Sequence, residues 1–170
     1  MNKIIIKTIS LTVAILIILI TFGCINTEEE NLNNRYTINL SDEWKQIEPY
    51  SNYDAIYTPD INSNIYFYIT LPENLDIGNS IITIANQIIQ REENKHSSFT
   101  LISNKNIDIK TVSAHEIIYT FKEKNIDYKA KHVPIKDKDV LYELIYIAPE
   151  NQYENYISSI NQAIYSFRPT

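Results

Sequence analysis

The chain has 170 residues, a formal net charge of −6 at pH 7 and 44% hydrophobic residues. Because contacts to nucleic-acid phosphates require clustered Lys and Arg side chains, this acidic balance argues against a nucleic-acid partner. The chain contains a single cysteine, which excludes a disulfide framework within it. Packing alone must therefore hold the core together.

Residues 1–23 carry the pattern of an export signal. Lys3 and Lys7 precede an apolar stretch whose strongest block covers residues 11–20, the size of a signal-peptide hydrophobic region. A helix needs about 20 apolar residues to cross the hydrocarbon core, so an uncleaved membrane anchor is the alternative. In either case we expect the protein to be held at the outer face of the cytoplasmic membrane, in the cell envelope.

Cys24 stands where a lipid-modified cysteine would stand, directly after the small residue Gly23. The acidic stretch that follows has little apolar surface to bury, so residues 24–34 are predicted to form a tether. We therefore predict that Cys24 is lipidated. In the alternative with an uncleaved anchor helix, Cys24 is an ordinary apolar residue.

Residues 35–170 have the size of one domain with one core, and its first part is predicted to be a strand meander. Turn signals at Pro59 and Pro72 end two of these strands. Both alternating faces of the last strand carry bulky side chains. We expect that strand to be covered on two sides, or covered on one side and faced with tyrosines on the other. The predicted strands span residues 36–40, 45–47, 54–58 and 64–71.

A helix, a second meander and a second helix follow. Asn79 or Ser80 can cap an amphipathic helix that ends in the charged run 91–95. Short polar links between the next strands predict that these strands are antiparallel neighbours. Apolar residues return to helical spacing over residues 153–167. The strands between the two helices are predicted at residues 99–103, with 109 as an alternative end, and at 114–122, 126–135 and 140–148.

Two segments resemble a known family. Residues 36–44, Tyr-Thr-Ile-Asn-Leu-Ser-Asp-Glu-Trp, are similar to the opening strand and tryptophan turn of PsbP-like proteins, and residues 160–167 are similar to their closing helix. The order of elements agrees across nearly all of residues 35–170. The resemblance implies an α+β fold, in which helices flank an antiparallel β-sheet as an α/β/α sandwich.

The same resemblance implies a non-enzymatic binding or accessory module, often part of an exported lipoprotein. Relatives include a photosystem extrinsic subunit and a Ran-binding nuclear import factor, so the fold by itself does not define a partner.

The sequence contains no catalytic constellation that we recognise. His96, His115 and His132 form no spaced pair that would indicate a metal site, so we predict neither a metal nor a cofactor. His115 and Glu116 are neighbours, but on a strand their side chains point to opposite faces. The carboxylates cluster in the tether, at a helix end and in a hairpin turn, which are solvated places. An undetected enzyme would instead need a buried histidine and carboxylate within hydrogen-bond distance in a pocket.

The thirteen tyrosines are the better functional signal. Tyrosine combines a large apolar body with a polar tip, which suits a contact surface, although its preference for strands is the alternative explanation. We expect a monomeric domain that binds a protein or envelope partner, with a small-molecule or lipid carrier and a hydrolase or metal-assisted enzyme as the alternatives. The candidate binding residues are Tyr66, Tyr68, Tyr119, Tyr128, Tyr142 and Tyr146.

Overall fold

The computed structural model describes residues 27–32, 35–50, 52–74, 78–110 and 112–170. The predicted export signal and Cys24 lie outside these residues. Within the described ranges, no helix has both the length and the apolar character needed to cross a membrane.

Two helices and eleven strands form the described part of the chain. The helices are α1 (Ile81–Lys95) and α2 (Tyr153–Ser166), and one 3₁₀ turn (Glu150–Gln152) precedes α2. The strands are β1 (Thr27–Leu32), β2 (Tyr36–Ser41), β3 (Lys45–Ile47), β4 (Tyr53–Thr58), β5 (Tyr66–Thr70), β6 (Glu73–Asn74), β7 (Thr100–Ile109), β8 (Val112–Glu123), β9 (Ile126–Asp137), β10 (Val140–Pro149) and β11 (Arg168–Pro169).

These strands form two antiparallel sheets. In the larger sheet the described strands follow the order β3-β4-β5-β10-β9-β8-β7, and the short β6 also pairs with β10. In the smaller sheet β2 lies between β1 and β11. Tight turns join the long hairpins: Lys124 and Asn125, between β8 and β9, both adopt left-handed φ angles, of 47° and 66°. Two successive positive φ angles match a type I′ turn, whose twist suits antiparallel strands.

One face of the larger sheet is covered by α2 together with β2 of the smaller sheet. The main apolar core lies in this layer, and Phe67, Leu144 and Tyr146 of the sheet meet Ile160 and Phe167 of the C-terminal segment there. A polar contact also orients the layer, because the Trp44 indole N–H donates to Ser159 Oγ at 3.1 Å.

Helix α1 lies on the other face of the larger sheet. Ser80 is its N-cap: the Ser80 hydroxyl accepts a hydrogen bond from the main-chain N–H of Thr83 at 3.1 Å. Ser80, rather than Asn79, therefore caps the helix. The buried side of α1 carries Ile84, Ala85 and Ile88, which pack on β8 and β9.

The α+β fold with helices on both faces of an antiparallel sheet is confirmed, and each helix and strand predicted over residues 35–170 has a counterpart. One difference concerns the predicted tether at residues 24–34. Residues 27–32 form β1, paired with β2 from Thr27↔Ser41 to Leu32↔Tyr36. Strand pairing uses main-chain N–H and C=O groups, so an acidic segment can join a sheet edge without an apolar face of its own.

Candidate functional site

A cleft of about 720 Å³ lies on the sheet face that carries α1. A helix with its side chains is about 10–12 Å across and strands lie about 4.8 Å apart, so one helix covers only two or three strands. Helix α1 packs on β7, β8 and β9. The cleft is the part of this face beside the helix, where side chains of β4, β5 and β10 contribute to its lining.

Two rows of aromatic rings form the walls of the cleft. In the first row, which we call the β5 wall, the ring centre of Tyr68 lies 4.7 Å from that of Tyr53 and 5.6 Å from that of Tyr66. In the second row, the β8 wall, Phe121 of β8 stacks on Tyr128 of β9 at 5.3 Å. The walls therefore come from strands on either side of β10.

The floor between the walls is aliphatic. Ile145 and Ile147 of β10 line the cleft, and the strand register places them opposite Tyr68 and Tyr66 of the β5 wall. Directly opposed residues of paired strands have neighbouring side chains, so wall and floor form one continuous surface.

A polar cluster around the buried carboxylate of Glu143 lies between the floor and helix α1. The Arg91 guanidinium donates to both carboxylate oxygens of Glu143, from Nη2 to Oε2 at 2.7 Å and from Nη1 to Oε1 at 3.3 Å. Nε2 of His132 lies 2.5 Å from Oε2 of the same carboxylate. Arg91 and Glu143 line the cleft, and they also line an adjoining cavity of about 460 Å³.

The Glu143 carboxylate is ionised throughout the physiological range. Burial by itself would raise its pKa, but the hydrogen bonds and charges of His132 and Arg91 outweigh burial and hold the pKa at about 2. An acid of that strength has no proton to donate at neutral pH, so Glu143 is unsuited to general-acid catalysis.

His132 is unsuited to proton transfer with a ligand because its side chain is 0% exposed and does not line the cleft. Its Nε2 is used by Glu143, and its Nδ1 has no hydrogen-bond partner among the described residues. A buried histidine and carboxylate within hydrogen-bond distance is the signal expected of an enzyme, and the structure contains such a pair. In this pair Glu143 is held ionised and His132 does not line the cleft. A second histidine and carboxylate, His96 and Glu92, do line the cleft, with Nε2 and Oε2 3.5 Å apart.

His115 and Glu116 point to opposite faces of the sheet, as predicted. His115 contacts the side-chain oxygens of Asn106 and Asn104 on β7. Glu116 instead forms a 2.7 Å ion pair with the largely buried Lys131. Within the described residues, no group of three His, Cys, Asp or Glu side chains could hold a metal ion.

The structure divides the six candidate tyrosines between the two faces of the sheet. Tyr142 and Tyr146 lie in the core against α2, 6% and 0% exposed, so these two cannot belong to a shared binding surface with the rest. The direct cross-strand partner of Tyr146 is Phe67, which also belongs to the core. Successive side chains of a strand point to opposite faces, so the neighbouring Ile145 and Ile147 line the cleft instead. The four candidates that line the cleft are Tyr66, Tyr68, Tyr119 and Tyr128.

The residues that sequence reasoning missed are Tyr53 and Phe121 of the walls and the pair of Arg91 and Glu143. A local signal existed for Glu143. It occupies the same strand face as apolar Ile145, and a carboxylate at an otherwise apolar inward position requires a partner. No comparable signal marks Arg91, which is one of several charged residues at the end of α1.

No protein-family model and no curated protein matches the sequence. Solved structures do match, and they define the chain as an α+β protein with a PsbP-like fold. Cyanobacterial PsbP (CyanoP) from Synechocystis sp. PCC 6803 superimposes with a TM-score of 0.64 over 88% of this chain and 96% of that chain, at 11% identity.

Two further structures share the fold. LpqN, described as involved in cell envelope biogenesis of Mycobacterium tuberculosis, has a TM-score of 0.58 over 85% of this chain and 90% of its own, at 14% identity. A mutant form of the protein Mog1 has a TM-score of 0.61 over 84% of this chain and 95% of its own, at 8% identity. At such identities the likeness establishes the fold alone.

Proposed function

We propose that this chain is a non-enzymatic, extracytoplasmic binding or accessory module that holds its ligand in the cleft beside α1. The observation that carries the proposal is an open cleft with two aromatic walls and an aliphatic floor. Its volume lies within the range of about 300–1,000 Å³ that is usual for ligand sites. The aromatic residues supply contact area at a low entropic cost.

The charged lining argues against a lipid carrier, the alternative raised by the sequence. An acyl chain needs an enclosed apolar cavity, whereas Arg91, Lys95 and Glu123 are among the side chains that line this cleft. Desolvating such groups against a hydrocarbon chain would cost free energy without returning hydrogen bonds. A ligand with polar or charged groups fits better.

The proposed location rests on the export signal and on Cys24. LpqN, a structure of the same fold, is described as involved in cell envelope biogenesis, which agrees with an envelope location. If Cys24 is lipidated, three residue steps separate it from the start of β1 at Thr27, a span of about 11 Å at most. The domain would then lie directly at the membrane surface.

The experiment that tests the proposal is a pull-down from native membranes with the full-length chain. A Tyr66→Ser/Tyr68→Ser double variant alters the β5 wall, and Tyr165→Ser is the matched control, because Tyr165 lies on α2 and is 49% exposed. Circular dichroism checks that each variant is folded. A partner retained by wild type and by the Tyr165 variant, but not by the double variant, supports binding through the cleft.

A second measurement addresses the enzymatic alternative. The full-length chain is screened with ester and phosphoester substrates, and any turnover is repeated with Glu143→Gln. Turnover that disappears in this variant would show that the buried pair takes part in chemistry, and the non-enzymatic proposal would be wrong.

A further inference from the structure

The cleft carries more negative than positive charge. Its cationic side chains are Arg91 and Lys95, and burial lowers the pKa of His96, with a further lowering by Lys95, so His96 is neutral at pH 7. Four carboxylates line the same space, which leaves a net charge of −2. These carboxylates are Glu73, Glu92, Glu123 and Glu143.

The two cationic side chains are already engaged by the buried carboxylates. Arg91 pairs with Glu143 at 2.7 Å and with Glu92 at 3.1 Å, and Lys95 lies 3.8 Å from Glu92. In contrast, Glu73 and Glu123 make no ion pair with any described residue and are exposed. The unneutralised charge of the cleft therefore belongs to these two carboxylates.

Glu123 lies near the β8 wall. Burial raises the pKa of the Tyr128 hydroxyl, and the charge of Glu123 raises it further. The same charge opposes the lowering of the His96 pKa. On the opposite wall, burial raises the pKa values of Tyr53 and Tyr68 above the ordinary value of 10.0. These phenols are thus neutral in the physiological range, and a neutral aromatic ring attracts cations to its electron-rich face.

From this combination we propose that the cleft binds a small organic ammonium ion, with the cationic group between the aromatic walls and the apolar body on Ile145 and Ile147. Aromatic faces with nearby carboxylates are the chemistry that recognises quaternary ammonium groups. A cavity of about 720 Å³ suits a small molecule. This inference rests on the proposed binding function and names the class of its ligand.

The test compares three probes of nearly the same shape by isothermal titration calorimetry with the detergent-solubilised full-length chain. The probes are choline, its neutral isostere in which a tert-butyl group replaces the trimethylammonium group, and the anion tert-butylacetate. We expect choline to bind about tenfold more tightly than the isostere, because only choline gains cation–π and carboxylate attraction. The anion should bind more weakly than both.

Two variants with a matched control assign the effect to the cleft. Glu123→Gln should weaken choline binding about threefold, as is usual for an exposed charge, and should leave the isostere unchanged. Glu93→Gln removes the same charge from an exposed position of α1 that does not line the cleft, and choline binding should be unaffected. Tyr66→Leu keeps an apolar side chain without a ring, so it should weaken choline binding more than isostere binding.

Equal binding of choline and the isostere, or tighter binding of the anion, would overturn the cationic preference and leave the cleft as a binding site. Absence of binding by all three probes would also overturn the inference. The proposed function is judged separately, by whether the Tyr66→Ser/Tyr68→Ser variant loses its partner in the pull-down.

Discussion

Arg91 of helix α1 and Glu143 of strand β10 form a two-point ion pair beside the cleft, with nitrogen–oxygen distances of 2.7 and 3.3 Å. The residues are 52 positions apart in the chain. The pair links the helix to the sheet at the edge of the site, and His132 contacts the same carboxylate from within the sheet. One buried carboxylate thus fixes the position of the helix relative to the cleft floor.

The first prediction concerns stability in acid. The pKa of Glu143 is about 2 in the folded protein, against an ordinary value of 4.5. A carboxylate whose pKa is lower in the folded than in the unfolded protein stabilises the fold at pH values above the unfolded-state pKa. This contribution is lost as the pH falls from about 4.5 towards 2. Its full size is on the order of 3 kcal/mol.

Urea unfolding between neutral pH and pH 2 measures this effect. We expect the free energy of unfolding of wild type to fall more steeply over the acid range than that of Glu143→Gln, which has no proton to gain. Parallel pH profiles for the two proteins would contradict the assignment.

The second prediction concerns Arg91. Removing one partner of a buried ion pair costs about 3–5 kcal/mol, but the Arg91 side chain is 51% exposed, so we expect Arg91→Met to cost about 1–2 kcal/mol. Lys95→Met is the control, because Lys95 contacts Glu92 only at 3.8 Å. A double-mutant cycle with Glu143→Gln measures the coupling, and additive costs would show that the pair contributes nothing.

The third prediction separates core tyrosines from cleft tyrosines. The buried Tyr146 hydroxyl donates to the main-chain oxygen of Tyr153 at 2.9 Å, so Tyr146→Phe should cost about 1 kcal/mol of unfolding free energy. Tyr66→Phe removes a hydroxyl from the partly open cleft and should cost less than about 0.5 kcal/mol. The two variants are compared by urea unfolding, and equal costs would argue against placing these tyrosines on different faces.

The fourth prediction concerns the start of α1. Ser80→Ala removes the hydroxyl that accepts from the Thr83 N–H and should cost about 1 kcal/mol. Asn79→Ala is the matched control: the Asn79 group that accepts from Lys136 is its main-chain oxygen, which alanine retains. If the Asn79 variant were the more costly in thermal unfolding, the cap would be misassigned.

The fifth prediction concerns membrane attachment. We expect mass spectrometry of the membrane fraction to find a mature chain that begins at Cys24 and carries lipid, because the predicted export signal ends at Gly23. Cys24→Ser should abolish this species. An intact N-terminus that begins at Met1 would instead indicate an uncleaved anchor helix.

Much of the fold could be predicted because its signals are local. Apolar and polar residues alternate over residues 36–40, and this period of two residues indicates a strand. The apolar residues of 81–89 follow the period of 3.6 residues that indicates a helix. Boundaries were harder to predict. The sequence of residues 99–109 did not decide whether the predicted strand ends at Ser103 or continues. In the structure β7 extends to Ile109, because its pairing with β8 continues to the pair Ile109↔Val112.

The site was only partly predictable. The preference of tyrosine for strands and interfaces placed Tyr66 and Tyr68 among the candidates, but it equally selected Tyr142 and Tyr146. Alternation shows that Tyr142 and Tyr146 share one face of β10. It does not show which face of β10 continues the face of β5 that carries Tyr66 and Tyr68.

The order of helices and strands and the class of fold follow from the sequence alone, because the periodicity and turn signals that produce them act over a few residues. Which side chains share the cleft depends instead on contacts between segments that are far apart in the sequence. The register that pairs Tyr68 with Ile145 and the ion pair between Arg91 and Glu143 join distant segments. Such pairings depend on the packing of the whole core, which no local pattern encodes.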